Sequence, residues 1–314
     1  IMSSIKILQG NCLDRLRDLP EKSVNTCVTS PPYFGLRNYG ITDQLGMEET
    51  PDQFTENLVK LFREVRRVLR DDGTVWLNLR DSYCSINGYA RASPEFQRKG
   101  RNNAPANNRS LSELHKANIK TKDLIGIPWR VAFALQADGW YLRQDIIWSK
   151  PNPMPESVQD RCTKSHEYIF LLSKSPKYYY DNEAIKEKVK QDWGTRDRSS
   201  GKYHNEGTGL QPHSGLEKSY ETKNKRSVWS VSPMPYKEAH FATYPPELIK
   251  PCILAGCPEG GTVLDPFGGS GTTAQVSNNL NRNAILCELN PEYVEIAKGR
   301  LQESLGMFLD MEIL

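Results

Sequence analysis

Two short stretches carry residue types suited to chemistry. In Thr29-Ser30-Pro31-Pro32-Tyr33 an apolar run ends in a hydroxyl, two rigid prolines and an aromatic ring. A serine hydroxyl and a backbone carbonyl stiffened by proline can accept both hydrogens of a planar, conjugated amine. That favours the pyramidal nitrogen needed for attack, while the Tyr33 ring can stack on the attached heterocycle. The same residues also suit an ordinary proline turn with an aromatic anchor. The second stretch, Asp265-Pro266-Phe267-Gly268-Gly269-Ser270-Gly271-Thr272-Thr273, is a Gly-rich turn between an apolar strand and a helix. Its backbone N–H groups and the helix N-terminus can face a ligand. About twenty residues on, Glu288 stands at a strand end, where a carboxylate can accept from both hydroxyls of a ribose. A capping acid before Pro291 is the alternative reading of Glu288.

The turn lacks the G-x-G-x-x-G spacing of a dinucleotide site, and Thr272 stands where a P-loop carries lysine. Its D-P-F-x-G-S-G-T-T form resembles the S-adenosylmethionine motif of DNA amino-methyltransferases. Ser30-Pro31-Pro32-Tyr33 resembles their catalytic motif, and the order, catalytic first and cofactor last, resembles the circularly permuted beta group. The resemblance implies that Asp265, Phe267, Gly269, Ser270, Gly271 and Thr272 surround the amino acid and ribose of S-adenosylmethionine. Phe241 and Thr243, in His240-Phe241-Ala242-Thr243-Tyr244-Pro245, then close over its methionine end. The family often has Gly-Asp where this chain has Gly10-Asn11, so either Asn11 or the nearby Asp14 is expected to meet the adenine amino group.

For catalysis the resemblance implies direct, in-line transfer of the sulfonium methyl to an exocyclic nitrogen of a flipped base, without a covalent enzyme intermediate. Ser at the first motif position resembles the cytosine-N4 enzymes more than the adenine-N6 enzymes, which stay the alternative. Methylation of RNA or of a protein amide, and a nucleic-acid-binding protein without turnover, are further readings. Ile146 to Asn152 resembles a strand-end segment beside the flipped nucleotide, with Lys150 reaching its phosphate and Trp148 equally suited to the core. Asn78 and Asp81 fall at the same edge without an assigned role. Cys252 lies in an apolar helical stretch and reads as a core thiol rather than a nucleophile.

The elements that must position these residues follow from periodicity. Ile5 to Leu8 and Val24 to Thr29 read as strands around a short helix. Phe54, Leu58, Leu61, Val65 and Val68 recur at spacings of three and four, predicting a helix over Pro51 to Arg70 stopped by Asp71-Asp72-Gly73. A strand from Thr74, a helix from Leu124 to Ala137 and strands Tyr141 to Ser149 and Glu167 to Ser173 follow. Helices near Pro246 to Ala255, from Thr272, and over Glu292 to Glu303 alternate with strands Thr262 to Leu264 and Ala284 to Leu289. Such alternation predicts an α/β fold with a mostly parallel sheet and helices on both faces. With the resemblance, that is the Rossmann-like methyltransferase fold, as one domain over 1–314 with inserted DNA-recognition loops.

The 314 residues carry a net charge of +3 and a mean hydropathy of −0.61. No run approaches the roughly 18 apolar residues of a membrane span, so a cytoplasmic chain with no membrane partner is expected. Seven scattered cysteines predict free thiols and no metal site. Between Cys84 and Lys122 eight basic residues, among them Arg98, Lys99 and Arg101, face only Glu95 and Glu113. This insertion, 85–121, and a second at 182–235 rich in Lys, Arg, Trp and Tyr are expected to contact double-stranded DNA, the second as the target-recognition region. A solvated loop is the competing reading of both. The resemblance implies a cognate restriction endonuclease acting on the same site as a further partner.

Overall fold

The computed structural model describes residues 3–35, 44–84, 118–189, 221–233, 244–305 and 310–314. Strands β1 (Ser4–Gln9), β2 (Val24–Thr29), β3 (Leu69–Leu79), β4 (Tyr141–Ser149), β5 (His166–Ser173), β8 (Val228–Ser230), β9 (Thr262–Asp265), β10 (Asn283–Glu288) and β11 (Asp310–Ile313) form one sheet. Its order is β11-β1-β10-β9-β2-β3-β5-β4-β8, and the short β6 (Glu187–Lys188) and β7 (Thr222–Lys223) pair separately. Every neighbouring pair in the large sheet is parallel except those made by β5, which runs antiparallel to both β3 and β4. The strand patterns gave no sign of this reversal, because direction leaves no mark on an apolar run buried on both faces.

Side chains alternate across the sheet as period two requires. Val75, Leu77, Leu79, Phe170, Leu172 and Leu264 point to one face, against helices α1 (Cys12–Arg17), α2 (Pro51–Val68) and α3 (Ile127–Ala137). Val28, Trp76, Ile169, Leu171 and Val263 point to the other, against α4 (Pro246–Gly256) and α5 (Thr272–Asn279). Helix α6 (Pro291–Leu305) covers β1 and β10 through Val294, Ala297 and Leu301. Gly256 marks the closest approach of α4, since a Cβ there would lie 2.6 Å from Trp76 Nε1 and 2.7 Å from Thr26 Oγ1. No helix among the described residues is long and apolar enough to cross a membrane.

Three local expectations are corrected. Asp71-Asp72-Gly73 does not separate α2 from β3. Leu69 turns directly into extended backbone, and the register between β2 and β3 jumps from Val24↔Leu69 to Thr26↔Thr74, absorbing Arg70 to Gly73 as a bulge. The Asp71 carboxylate is held there by Lys22 at 2.7 Å and Lys174 at 3.3 Å. Helix α3 starts at Ile127 rather than Leu124, because Gly126 takes the left-handed cap position while Leu124 pairs with Tyr83. Finally, the described ends of both insertions belong to the fold. Ile119 and Ile185 are buried, and Trp229 on β8 sits in the core 6.5 Å from Trp76, not on a DNA-facing loop.

Candidate active site

Adjacent strands β2 and β9 send their chains in opposite directions: β2 leads through α2 to β3 on one side, and β9 through α5 to β10 on the other. In an open α/β sheet the crevice beyond the carboxyl ends of such strands is where ligands bind. Both candidate motifs leave the sheet at that point. They are tied together across 236 positions of sequence, Thr29 Oγ1 donating to Asp265 Oδ1 at 2.6 Å.

Asp265 has a structural task that its sequence context did not reveal. Its carboxylate is buried and accepts from Thr29, from Tyr244 Oη at 2.8 Å, from Thr273 Oγ1 at 2.5 Å and from the Phe267 N–H at 3.1 Å. Burial raises its pKa, and the hydrogen bonds work against that rise. Desolvating a carboxylate costs several kcal/mol, and bonds to a charged group return about 1.5–3 kcal/mol each, so the four together hold the charge in place. Asp265 thus organises the turn from beneath. Ser270 and Thr272 are held from the other side of the turn. Arg300 on α6 donates to Ser270 Oγ at 3.0 Å, to Thr272 Oγ1 at 2.8 Å and to Gln275 at 2.8 Å. Ser270 and Thr272 are buried, their hydroxyls turned to that guanidinium.

Phe267, Gly269 and Glu288 are half-buried at the ends of β9 and β10. Gly269 has φ +51, and the nearest atom to a Cβ there would be the Phe267 carbonyl at 3.9 Å, so the space on that side is open. Gly271, at φ +79, caps α5. Glu288 receives the Gly269 N–H on one oxygen and the Asn290 N–H on the other, both at 2.8 Å. Each oxygen keeps lone-pair capacity for a further donor. Burial raises the Glu288 pKa, opposed by these N–H groups. A carboxylate at a strand end, an aromatic side chain and an open glycine turn fit a ribose-bearing cofactor. Asn11 spends its side-chain oxygen on the Leu13 N–H as the cap of α1, and Asp14 is exposed beside Arg17. Phe241 and Thr243 lie outside the described residues, but their neighbour Tyr244 joins the Asp265 cluster, its hydroxyl beside that of Thr273.

On the catalytic side, Pro31 is buried while Ser30, Pro32 and Tyr33 are half-buried at the crevice. Gly46 lies against the turn, where a Cβ would come within 3.0 Å of the Tyr33 carbonyl. Ser30 Oγ donates to Tyr33 Oη at 3.3 Å, and Tyr33 Oη donates to Glu167 Oε2 at 2.7 Å. Asn78 donates to Glu167 Oε2 at 3.3 Å and to the Tyr168 carbonyl at 3.0 Å. Lys150 closes the cluster by pairing with Glu167 Oε1 while lying 4.1 Å from the Trp148 ring centroid. Lys150 therefore faces a buried carboxylate instead of a phosphate. Asp81, at the same edge, accepts from the N–H groups of Gly126 and Ile127 and caps α3. Burial and the nearby Glu167 charge push the Tyr33 phenol well above its ordinary value. Glu167 and Arg300 were not anticipated. Glu167 left one legible trace, an acid inside the apolar strand pattern His166-Glu167-Tyr168-Ile169-Phe170; Arg300 left none. Cys252 is a buried thiol that burial pushes upward, as its apolar surroundings predict.

The N6/N4 DNA methylase family signature matches residues 24–299, spanning the crevice from β2 to α6. The chain belongs to that family. The chain is 47% identical over 301 residues to the Type II methyltransferase M.Cfr9I of Citrobacter freundii, covering 96% of this chain and 89% of that protein. It is 45% identical over 300 residues to M.SmaI of Serratia marcescens, covering 96% and 91%. Among solved structures, the cytosine-N4-specific PvuII DNA methyltransferase superposes with a TM-score of 0.64 at 18% identity, covering 95% of this chain and 86% of that one. A putative DNA modification methylase of Thermus thermophilus, crystallised with S-adenosyl-L-methionine, gives 0.60 at 21%, covering 98% and 99%. At these identities the two structures show the shared fold.

Proposed function

We propose that this DNA methylase transfers methyl to the N4 amino group of cytosine in duplex DNA, on a base flipped into the crevice beside Ser30. S-adenosylmethionine then lies between Glu288 and Ser30. The observation that carries this reading is the direction of one hydrogen bond. Ser30 donates its proton inward to Tyr33, so its oxygen presents lone pairs outward, toward an N–H donor. With a carbonyl of the proline turn as second acceptor, both hydrogens of an exocyclic amine are engaged and its lone pair is freed from the ring. The Tyr33 ring, anchored through its hydroxyl, offers a face for the base. Bound S-adenosylmethionine supplies the electrophilic methyl. The chain aligns donor and acceptor and withholds water, and no covalent enzyme intermediate is needed.

Serine at the first motif position favours cytosine-N4 over adenine-N6. The name of the PvuII neighbour agrees, although the family spans both amines. The order of the motifs supports the permuted arrangement. Type II relatives support a role in restriction-modification with a cognate endonuclease, and the sequence segments 85–117 and 190–220 are the proposed DNA-contacting parts. The deciding experiment is methyl transfer from labelled S-adenosylmethionine to unmethylated genomic duplex DNA, followed by nucleoside analysis. Labelled N4-methylcytosine is expected. N6-methyladenine would move the substrate to the adenine class, and label in RNA or protein instead of DNA would overturn the reading.

A further inference from the structure

Glu167 is a buried acid on the antiparallel strand β5, a place where the resemblance assigned no role. The hydrogen bonds around it have one direction. Ser30 donates to Tyr33 at 3.3 Å and Tyr33 donates to Glu167 at 2.7 Å. Tyr33 has a single proton and two acceptors within reach, Glu167 and Asn78 Oδ1 at 3.2 Å; the shorter, charge-assisted bond takes it. The Asn78 amide is oriented by donating to both Glu167 and the Tyr168 carbonyl, so it braces the carboxylate. Lys150 occupies the other carboxylate oxygen. Lys164 and His166 also interact electrostatically with Glu167, and Arg80 with Tyr33. A carboxylate is 4% exposed here, paired with a lysine that is 17% exposed, at the end of a two-hydroxyl chain that begins at the site of reaction.

We infer that Ser30, Tyr33 and Glu167 form a proton exit route for the amine being methylated, with Glu167 as the terminal acceptor and Lys150 as the residue that positions it. The inference rests on the amino-methylation reading above. As the bond from methyl carbon to amine nitrogen forms and the bond from methyl carbon to sulfur breaks, the nitrogen holds one proton in excess. That proton passes to Ser30 Oγ while the Ser30 hydroxyl proton moves to Tyr33 Oη and the Tyr33 proton moves to Glu167 Oε2. Both hydroxyls end as they began and Glu167 ends neutral, returning its proton to water once the product leaves. The high pKa of the Tyr33 phenol suits a group that passes a proton without staying ionised.

A purely structural Glu167 predicts something different, because a glutamine oxygen in its place still accepts from Tyr33. The test is single-turnover methyl transfer to duplex DNA by wild type, Glu167→Gln, Tyr33→Phe and the Glu167→Gln/Tyr33→Phe pair. The Glu167→Gln/Lys150→Met variant, which removes both buried charges, guards against a folding defect, checked by S-adenosylmethionine titration. The route predicts a loss of about a hundredfold in Glu167→Gln and in Tyr33→Phe, with the pair no slower than either alone and cofactor binding retained. A cofactor-free readout accompanies it: the NMR resonance of the Tyr33 ring carbon bearing the hydroxyl should shift in Glu167→Gln. Wild-type transfer rates in Glu167→Gln, additive losses in the pair, or an unmoved resonance would overturn the route. Wild type that methylates no DNA amine would instead fail the underlying reading, and is told apart because no variant is then needed.

Discussion

At the scale of single residues, the site is governed by which polar atoms are already spent. Asp265, Ser270 and Thr272 each hold the turn through a neighbour, and Glu288 keeps lone pairs free beside its two backbone N–H partners. Glu288 gives a pH prediction. Burial raises its pKa above the ordinary 4.5, so the folded chain binds that proton more tightly than the unfolded one. Its contribution to stability is fully present below 4.5 and is lost as pH rises through the folded value. Ribose hydroxyls need the ionised carboxylate, so S-adenosylmethionine affinity should climb over the same interval. Glu288→Gln should weaken binding by roughly ten- to a hundredfold, the worth of a bond to a charged group, and flatten that pH dependence. Calorimetric titration on the acid side of neutrality checks both; equal affinities and parallel pH profiles would count against a ribose contact.

At the scale of elements, the cofactor turn is clamped between two supports. Asp265 fastens it to β2 and to Tyr244, and Arg300 fastens it to α6 through Ser270, Thr272 and Gln275. Arg300→Met keeps much of the aliphatic stem but deletes every one of those bonds. The expected cost is about 2–3 kcal/mol in urea unfolding, with cofactor affinity falling as the turn loosens. Stability unchanged within error would mean that Asp265 alone holds the turn. The elements themselves were largely legible: α2 from its apolar stripe and the Thr50–Gln53 capping box, and β9 and β10 from apolar runs beside glycine. The bulge at Asp71 was not. Asp-Asp-Gly has the composition of a turn, and its pairing with Lys22 and Lys174, together with backbone bonds from Lys174 and Tyr179, holds it in the strand.

At the scale of the whole molecule, eight of the nine strands described in the large sheet present their carboxyl ends at one edge and β5 its amino end, and charge decides what approaches it. Several basic residues that suggested phosphate contact are neutralised within the fold: Lys225 and Arg226 pair with Glu187, Lys186 with Glu183, and Lys122 with Asp160. The proposed DNA charge thus rests on positions such as Arg98, Lys99 and Arg101, which lie outside the described residues. Replacing these three by serine should weaken duplex binding and flatten the dependence of log affinity on log salt by about 2–3. Binding measured across a salt series reads this directly. An unchanged slope would take that insertion out of the interface.

The sequence by itself determined the chemistry on offer: an acceptor-rich proline turn, a glycine turn and a strand-end acid, in the order of one methyltransferase family. It could do so because backbone geometry and local hydrogen bonding restrict which residues fill such turns, and these restrictions act over a few positions. The tertiary structure alone decided which of those groups face the crevice. Thr29 meets Asp265, Tyr33 meets Glu167, and Ser270 meets Arg300 only after distant strands and helices pack side by side. A hydrogen bond between residues far apart in the chain leaves no periodicity to read. The buried acid at the end of the hydroxyl chain therefore became visible only when β5 was found running backwards between β3 and β4.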